Sequence, residues 1–309
     1  MEIFLPIAHM DVNIALIASY GALVGFLSGL VGVGGGFLIT PLLIFTGVPP
    51  IVAVSSGAAQ IAGTASGASY LQWRHGNIDF KMALLLAIGS WAGGACGVLA
   101  ARLLVREGHF GNVVMFLYVV LLGIIGAGML IESLRAVVRR AAPAAAAARS
   151  ATAPGSPPRT ERLRWQTDFP VSGVRLPAAA PLALGGAAGI LTSLMGVGGG
   201  FIMVPTMLYL LRMPTRIVVG TSTFRLLFTT AAVSVMQAGI NHSVDPLLAG
   251  ILILGSVFGT RLGAWLGARL PGEKLRLILA LVVVAVAVKM TLALVIAPSE
   301  PYEMSIEVH

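Results

Sequence analysis

Six residues, Gly32-Val33-Gly34-Gly35-Gly36-Phe37, return 164 residues later as Gly196-Val197-Gly198-Gly199-Gly200-Phe201, and each copy is followed by a proline, Pro41 and Pro205. Each glycine in a helix interior costs about 1 kcal/mol relative to alanine, so three in a row predict a break or bend. The chain therefore reads as two halves that carry the same helix-breaking device. A second coincidence strengthens this. Gly89, Gly93 and Gly97 are answered by Gly255, Gly259 and Gly263, and the four-residue spacing gives each triplet one smooth helical face that a neighbouring helix can approach closely.

The 309 residues are 57% hydrophobic and 10% charged, with a mean hydropathy of +0.93, which places the chain among integral membrane proteins. Apolar runs of about 18 residues or more recur, each long enough to cross a bilayer core of about 30 Å as a helix. They lack strict alternation, so a β-barrel is excluded. The fold class expected is an all-α integral membrane protein. The net charge of +8 does not point to nucleic acid, because the basic residues collect at helix ends and in a linker. Cys96 is the single cysteine and reads as a small packing residue. Met1 to His9 holds no Lys or Arg, so the basic start of a secretory signal is missing and the first apolar run is expected to stay in the membrane.

Ten segments are expected. In the first half they run about Asn13–Val31, Phe37–Val48, Ile51–Trp73, Phe80–Leu104 and Val113–Leu134. In the second half they run about Ala178–Met195, Phe201–Leu211 and Ile217–Ala238, then a segment after Asp245-Pro246, then Leu275–Ile296. The pieces after each glycine cluster are too short for ordinary spans, so about 8–10 membrane segments are predicted, two of them Gly-rich broken or re-entrant hairpins. Asp79 and Asp245 are placed to cap the helices that follow them. The domains expected are a membrane repeat over 1–138, a solvated Ala/Pro/Arg-rich linker over 139–177, a second membrane repeat over 178–297 and a short acidic tail over 298–309.

The linker arginines Arg139, Arg140, Arg149, Arg159, Arg162, Arg164 and Arg175 place it in the cytoplasm, with both termini external. Five traverses per half then make an inverted-topology repeat, the architecture of many secondary transporters.

The two stretches Val31-Gly32-Val33-Gly34-Gly35-Gly36 to Pro41 and Gly196-Val197-Gly198-Gly199-Gly200 to Pro205 resemble the duplicated V-G-x-G-G-G-x-x-x-x-P signature of the sulfite exporter TauE/SafE family. The second copy departs from it at Met195, where the leading valine would stand. The resemblance covers both membrane halves but not the linker. It implies a cell-membrane transporter that exports sulfite, sulfonates or related sulfur-containing organic anions.

The residues themselves support an anion site. Helices that begin at Gly36 and Gly200 would aim free N–H groups and the positive ends of their dipoles at an oxyanion held between the two hairpins. Gly34, Gly35, Gly36, Gly198, Gly199 and Gly200 are therefore candidate substrate-binding residues. The competing reading is that these glycines only permit tight helix crossing. Arg225 lies about nine residues into its segment, where an unpaired charge is costly, and an anionic substrate would supply its counter-charge. Gln60 is its counterpart in the first half. Thr221 and Ser222 add hydroxyls, which could instead bond their own helix carbonyls. Arg261 and Lys289 are near enough to segment ends to snorkel, and Trp91, Gln72 and Gln237 read as packing or interfacial residues. His75 and His242 fall in turns.

The function expected is a secondary transporter of a small sulfur oxyanion working by alternating access. An anion channel would use the same positive site. A membrane enzyme is disfavoured, since no carboxylate pair, His cluster or nucleophile with a base lies at membrane depth. No dinucleotide loop, ATP-binding loop or metal set is present, so no cofactor is expected. The partners expected are the small anionic substrate and the lipid bilayer. A sensory protein whose linker recruits a partner is a further alternative.

Overall fold

A computed structural model describes residues 2–31, 36–139, 166–169, 171–207, 211, 213–267, 269 and 272–295. The same series of elements occurs twice. The first half holds strands β1 (Glu2–Leu5) and β2 (Met10–Asn13), then helices α1 (Ile14–Val31), α2 (Ile39–Phe45), α3 (Pro50–Arg74), α4 (Phe80–Arg106) and α5 (Phe110–Arg139). The second holds β3 (Gln166–Phe169) and β4 (Val174–Pro177), then α6 (Ala179–Met195), α7 (Gly200–Pro205), α8 (Thr215–Asn241), α9 (Pro246–Gly267) and α10 (Gly272–Val295). Each of the ten expected segments contains one of these helices, the second only over Ile39–Phe45 and the seventh only over Gly200–Pro205. Among the described residues four helical stretches are long and apolar enough to cross a membrane, namely Phe80–Arg106, Phe110–Gly128, Arg216–Asn241 and Pro246–Leu266, and Ile14–Leu30, Ala179–Met195 and Ala280–Leu294 are shorter apolar helices.

The chain is predominantly helical, as an all-α membrane protein is; two expectations are corrected and one feature is added. The first short helix begins at Ile39 and not at Gly36, because Gly36 to Leu38 form a turn closed by the Ile39 N–H on the Gly36 carbonyl. The chain is not purely helical, since each half opens with an antiparallel two-stranded hairpin. Finally, residues 166–169 and 171–177, inside the stretch read as a solvated linker, are the second of these hairpins, with Phe169 and Ser172 buried. Its few apolar residues, Phe169, Val174 and Leu176, find their partners Met82 and Leu86 in another part of the chain, which the local sequence does not show. The acidic tail, the linker over 140–165 and the glycines Gly34 and Gly35 lie outside the described residues.

The hairpins extend the repeat to positions that no motif marks. β3 and β4 follow β1 and β2 at the same 164-residue offset as the glycine motif. Where the first hairpin turn needs a left-handed residue it has His9 (φ 51°), and the second has Gly173 (φ 66°). The turn after α3 uses Gly76 (φ 69°), and the end of α8 uses His242 (φ 50°). His242 thus serves as a left-handed helix cap, a conformation open to few side chains.

The glycine stripes decide which helices meet. A Cβ at Gly89, Gly93 or Gly97 of α4 would strike α6 in turn at Leu182, Gly186 and Ser193, and one at Gly255, Gly259 or Gly263 of α9 would strike the α1 backbone at Ala18, Ala22 and Phe26. Reciprocally, Gly21, Gly25 and Gly29 of α1 face Leu252, Ser256 and Thr260, while Gly185 and Gly189 of α6 face Leu86 and Ser90. The numbers rise together, so α1 runs parallel to α9, and α4 parallel to α6. Each stripe therefore packs on the first helix of the other half.

The long helices α3 and α8 join these pairs. Ser56 of α3 accepts the Asp245 N–H at 3.0 Å, and Gly63 faces Ile253, so α3 also runs along α9. On the other side, the Trp91 indole donates to the Phe228 carbonyl at 3.1 Å and Gly94 faces Val233, so α8 runs along α4. Two three-helix units result, α1-α3-α9 and α4-α6-α8, each built from both halves. Helices α3 and α8 cross antiparallel between them: Ser69, late in α3, donates to the Thr223 carbonyl, early in α8, at 3.1 Å. Helices α5 and α10 pack against each other, with Gly126 set against Val283 and Val284.

Candidate functional site

The second glycine motif is a loop that only glycine can form. Gly196, Gly198 and Gly199 have φ of 69°, 72° and 62°. An L-residue in this conformation costs about 1–2 kcal/mol, and here there is no room either. A Cβ at Gly196 would reach the Val54 carbonyl of α3, one at Gly198 would strike Leu226, and one at Gly199 would lie 3.2 Å from the Ala188 carbonyl. Gly196 ends α6 with its N–H on the Thr192 carbonyl at 2.8 Å, and the buried Tyr118 hydroxyl donates to the Met195 carbonyl at 2.6 Å. The loop is thus wedged between α6, α8 and the early turns of α3. Gly200 then starts α7, as expected, but this helix has only six residues.

Arg225 lies against this loop. It is fully buried, the largest side chain of which that is true among the described residues. Its Nη2 donates to the Gly198 carbonyl at 3.1 Å and its Nε to the Thr229 hydroxyl at 3.3 Å. Nη1 has no partner, and no carboxylate pairs with the guanidinium among the described residues. A neutral carbonyl and a hydroxyl stabilise a buried cation far less than a carboxylate would, and an uncompensated buried charge costs several kcal/mol.

One more polar atom shares this condition. Among the described residues, Arg225 Nη1 and Gln60 Oε1 are buried without a hydrogen-bond partner, whereas the buried Thr40 hydroxyl lies beside that of Tyr118. Gln60 precedes Ile61, which packs with Leu226, the residue after Arg225. A Cβ at Gly198 would touch both, 3.4 Å from Ile61 and closer to Leu226. The Thr40 hydroxyl would lie 2.9 Å from a Cβ at Gly196 and 3.1 Å from one at Gly57, a turn before Gln60. Gln60 and Arg225 are 2% and 0% exposed, so neither obtains its missing bond from solvent. Buried polar atoms are nearly always bonded in folded proteins, so Arg225 and Gln60 are the exceptions that single out this junction as the candidate site.

The hydroxyls expected at the site are engaged elsewhere. Thr221 Oγ1 accepts the Asp79 N–H at 3.0 Å, and the Ser222 hydroxyl donates to the Val219 carbonyl at 3.1 Å. Gly36 is buried beside α2, and Gly34 and Gly35 fall outside the described residues. Thr229 and Thr40 were missed by sequence reasoning. Thr229 could have been found, since it is four residues after Arg225 on the same helical face, and Thr40 sits within the first motif, next to Pro41. Gln237 and Trp91 bond the Ser193 and Phe228 carbonyls, as packing residues do, and Lys289 lies over the Phe45 ring at 4.1 Å.

The junction offers one positive charge with an unused donor and an amide oxygen without a partner, beside the glycine loop and the apolar Ile61 and Leu226. Among the described residues no cluster of His, Cys, Asp or Glu could hold a metal ion.

The family model described as sulfite exporter TauE/SafE matches residues 17–290. The chain is 28% identical over 288 residues to the probable membrane transporter protein YjnA of Bacillus subtilis (strain 168), covering 91% of this chain and 100% of that protein. It is 26% identical over 282 residues to the probable membrane transporter protein YunE of the same organism, covering 88% and 94%. A probable membrane transporter protein of Xylella fastidiosa (strain 9a5c) is 28% identical over 260 residues, covering 82% and 85%. No solved structure gives a significant match.

Proposed function

Since the chain belongs to the sulfite exporter TauE/SafE family of membrane transporters, we propose that it exports a small sulfur oxyanion, sulfite or a sulfonate, by alternating access, with Arg225 as the residue that takes the anion's charge. The observation that carries this reading is the fully buried guanidinium with a free Nη1 and no carboxylate partner. A bound oxyanion completes both its charge and its hydrogen bonds, and charge-assisted bonds of this kind are among the strongest available to a protein.

The alternating-access part of the proposal draws on the helix directions. Because α1 and α3 run with α9, α4 and α6 run with α8, and α3 crosses α8 antiparallel, α1, α3 and α4 of the first half are opposed by their counterparts α6, α8 and α9 in the second. This supports an inverted repeat. It also supports broken crossings at the glycine motifs: α1 and α3 point the same way, so the connection containing α2 must return the chain, and a seven-residue helix covers only about 10 Å of that return. The units α1-α3-α9 and α4-α6-α8 then rock against each other at the α3/α8 crossing, where Gln60 and Arg225 lie. Complete enclosure of Arg225 favours such a carrier over a channel, which needs a continuous open path.

An inside-negative potential drives an anion outward by about 2.3 kcal/mol per charge per 100 mV, so export needs no coupled ion. With the Arg-rich linker on the cytoplasmic side of a bacterial-type inner membrane, both termini lie outside. The test is flux of isotopically labelled sulfite or sulfoacetate from proteoliposomes holding the purified protein. Saturable flux that is lost in Arg225→Ala supports the reading, and flux unchanged in that variant removes Arg225 from the path.

A further inference from the structure

If the site binds an anion at Arg225, an orphan donor is explained, but the orphan Oε1 of Gln60 is not. A fully deprotonated oxyanion presents acceptors only. It would satisfy Arg225 Nη1, while leaving the Gln60 oxygen, 2% exposed and without a partner, as it is. We propose that Gln60 is a specificity-determining residue that reads a hydrogen-bond donor on the substrate, so that the preferred cargo is a monoanion with its own O–H or N–H: a hydroxylated or amino-bearing sulfonate, or an oxyanion that keeps one acid proton.

The two halves make this division of labour concrete. Gln60 and Arg225 occupy equivalent places on the two crossing helices, and the residues after them, Ile61 and Leu226, pack in one cluster against Gly198. A molecule between them meets a cation on the α8 side and an amide acceptor on the α3 side. The anionic head belongs at Arg225, and the donor belongs at Gln60. A ligand with a methyl group in place of the donor leaves the amide oxygen buried and unpaired, and a loss of that kind corresponds to about five- to hundredfold in affinity.

This inference rests on the anion-transport reading, and the experiment separates the two. The probes are 2-hydroxyethanesulfonate and propane-1-sulfonate, which share charge and approximate size and differ by a hydroxyl against a methyl. Each is tested for competition with labelled sulfite flux in proteoliposomes and for thermal stabilisation of the purified protein. The expected result is that the wild type favours the hydroxylated probe by about five- to hundredfold, and that Gln60→Met brings the ratio close to one while both probes still compete. Equal competition by the two probes in the wild type overturns the role of Gln60 and leaves the anion reading intact. A preference that persists in Gln60→Met overturns it as well. If neither probe nor sulfite competes or stabilises, the anion reading itself fails and this inference falls with it. Should Gln60→Met not fold, the wild-type ratio and its thermal shifts decide alone.

Discussion

The Asp79 carboxylate accepts the backbone N–H of Ser172 at 3.2 Å, tying the hairpin of the second half to the start of α4 in the first. Asp245 accepts the Ile7 N–H at the same distance, tying the hairpin of the first half to the start of α9 in the second. The likeness goes further. Asp79 caps α4 through Met82 and donates its N–H to Thr221, whereas Asp245 caps α9 through Leu247 and Leu248 and donates its N–H to Ser56. Each aspartate thus fastens one three-helix unit out of pieces of both halves.

Asp79→Ala removes an N-cap and strands the buried Ser172 and Met82 N–H groups, at a cost of about 2–4 kcal/mol. Asp245→Ala is expected to match it. Thermal unfolding in detergent checks this, and a variant as stable as the native protein would show that the aspartates do not fasten the units. Ser172→Ala, which keeps the backbone bond, is expected to cost about 1 kcal/mol.

The linker should be separable from the hairpin that follows it. Removing residues 143–164 is expected to leave flux and stability nearly unchanged, while extending the deletion to Pro177 takes the Ser172 contacts off Asp79 and should lower the yield of folded protein severely. Equal outcomes for the two deletions, by size-exclusion profile and flux, would contradict the fold's account of this region. A loss of function in the shorter deletion would favour a sensory role.

Helix contact through glycine has a sharp control. Gly93 and Gly259 stand against the Gly186 and Ala22 backbones, whereas a Cβ at Gly67 or Gly123 meets nothing within 4 Å. Gly93→Val and Gly259→Val are expected to destabilise by about 3 kcal/mol or more, since two backbones must separate, and Gly67→Ala and Gly123→Ala to be neutral or stabilising by about 0.5–1 kcal/mol. Unfolding midpoints of the four variants provide the comparison.

Much of this was legible in the sequence. The helix boundaries followed from apolar runs bounded by polar turns, and Asp79 and Asp245 declared themselves as caps because each stands just before an apolar run. Arg225 was visible because a charge deep in an apolar segment has few explanations. What was not legible depends on contacts between distant parts of the chain. Gln166–Phe169 and Val174–Pro177 are too short to announce strands, and what holds them lies far off in the chain: Phe169, Val174 and Leu176 cluster with Met82 and Leu86, and Ser172 of the turn bonds Asp79, almost a hundred positions away. Thr221 looked like a free hydroxyl for the same reason, its partner being the Asp79 N–H. The stripe on α4 announced a close partner, but not that the partner is α6 of the other half.

The loop at the second motif should be intolerant in a particular order. Gly198→Ala and Gly199→Ala each combine left-handed strain of about 1–2 kcal/mol with a steric clash and bear on the support of Arg225. Flux is expected to fall more than stability does. Thr229→Val, which removes one bond to the guanidinium and little volume, is expected to weaken anion affinity about tenfold with the fold intact, as measured by concentration dependence of flux.

The most direct measurement is charge movement in proteoliposomes on rapid addition of sulfite, sulfoacetate, thiosulfate, sulfate or acetate, with Arg225→Ala and Arg225→Lys alongside the native protein. The account predicts a saturable current for a sulfur oxyanion, absent in the alanine variant and weakened in the lysine variant, which keeps the charge but not the fork of donors. A saturable current undiminished in Arg225→Ala would contradict it, because the guanidinium enclosed beside Gly198 would then have no part in carrying the anion.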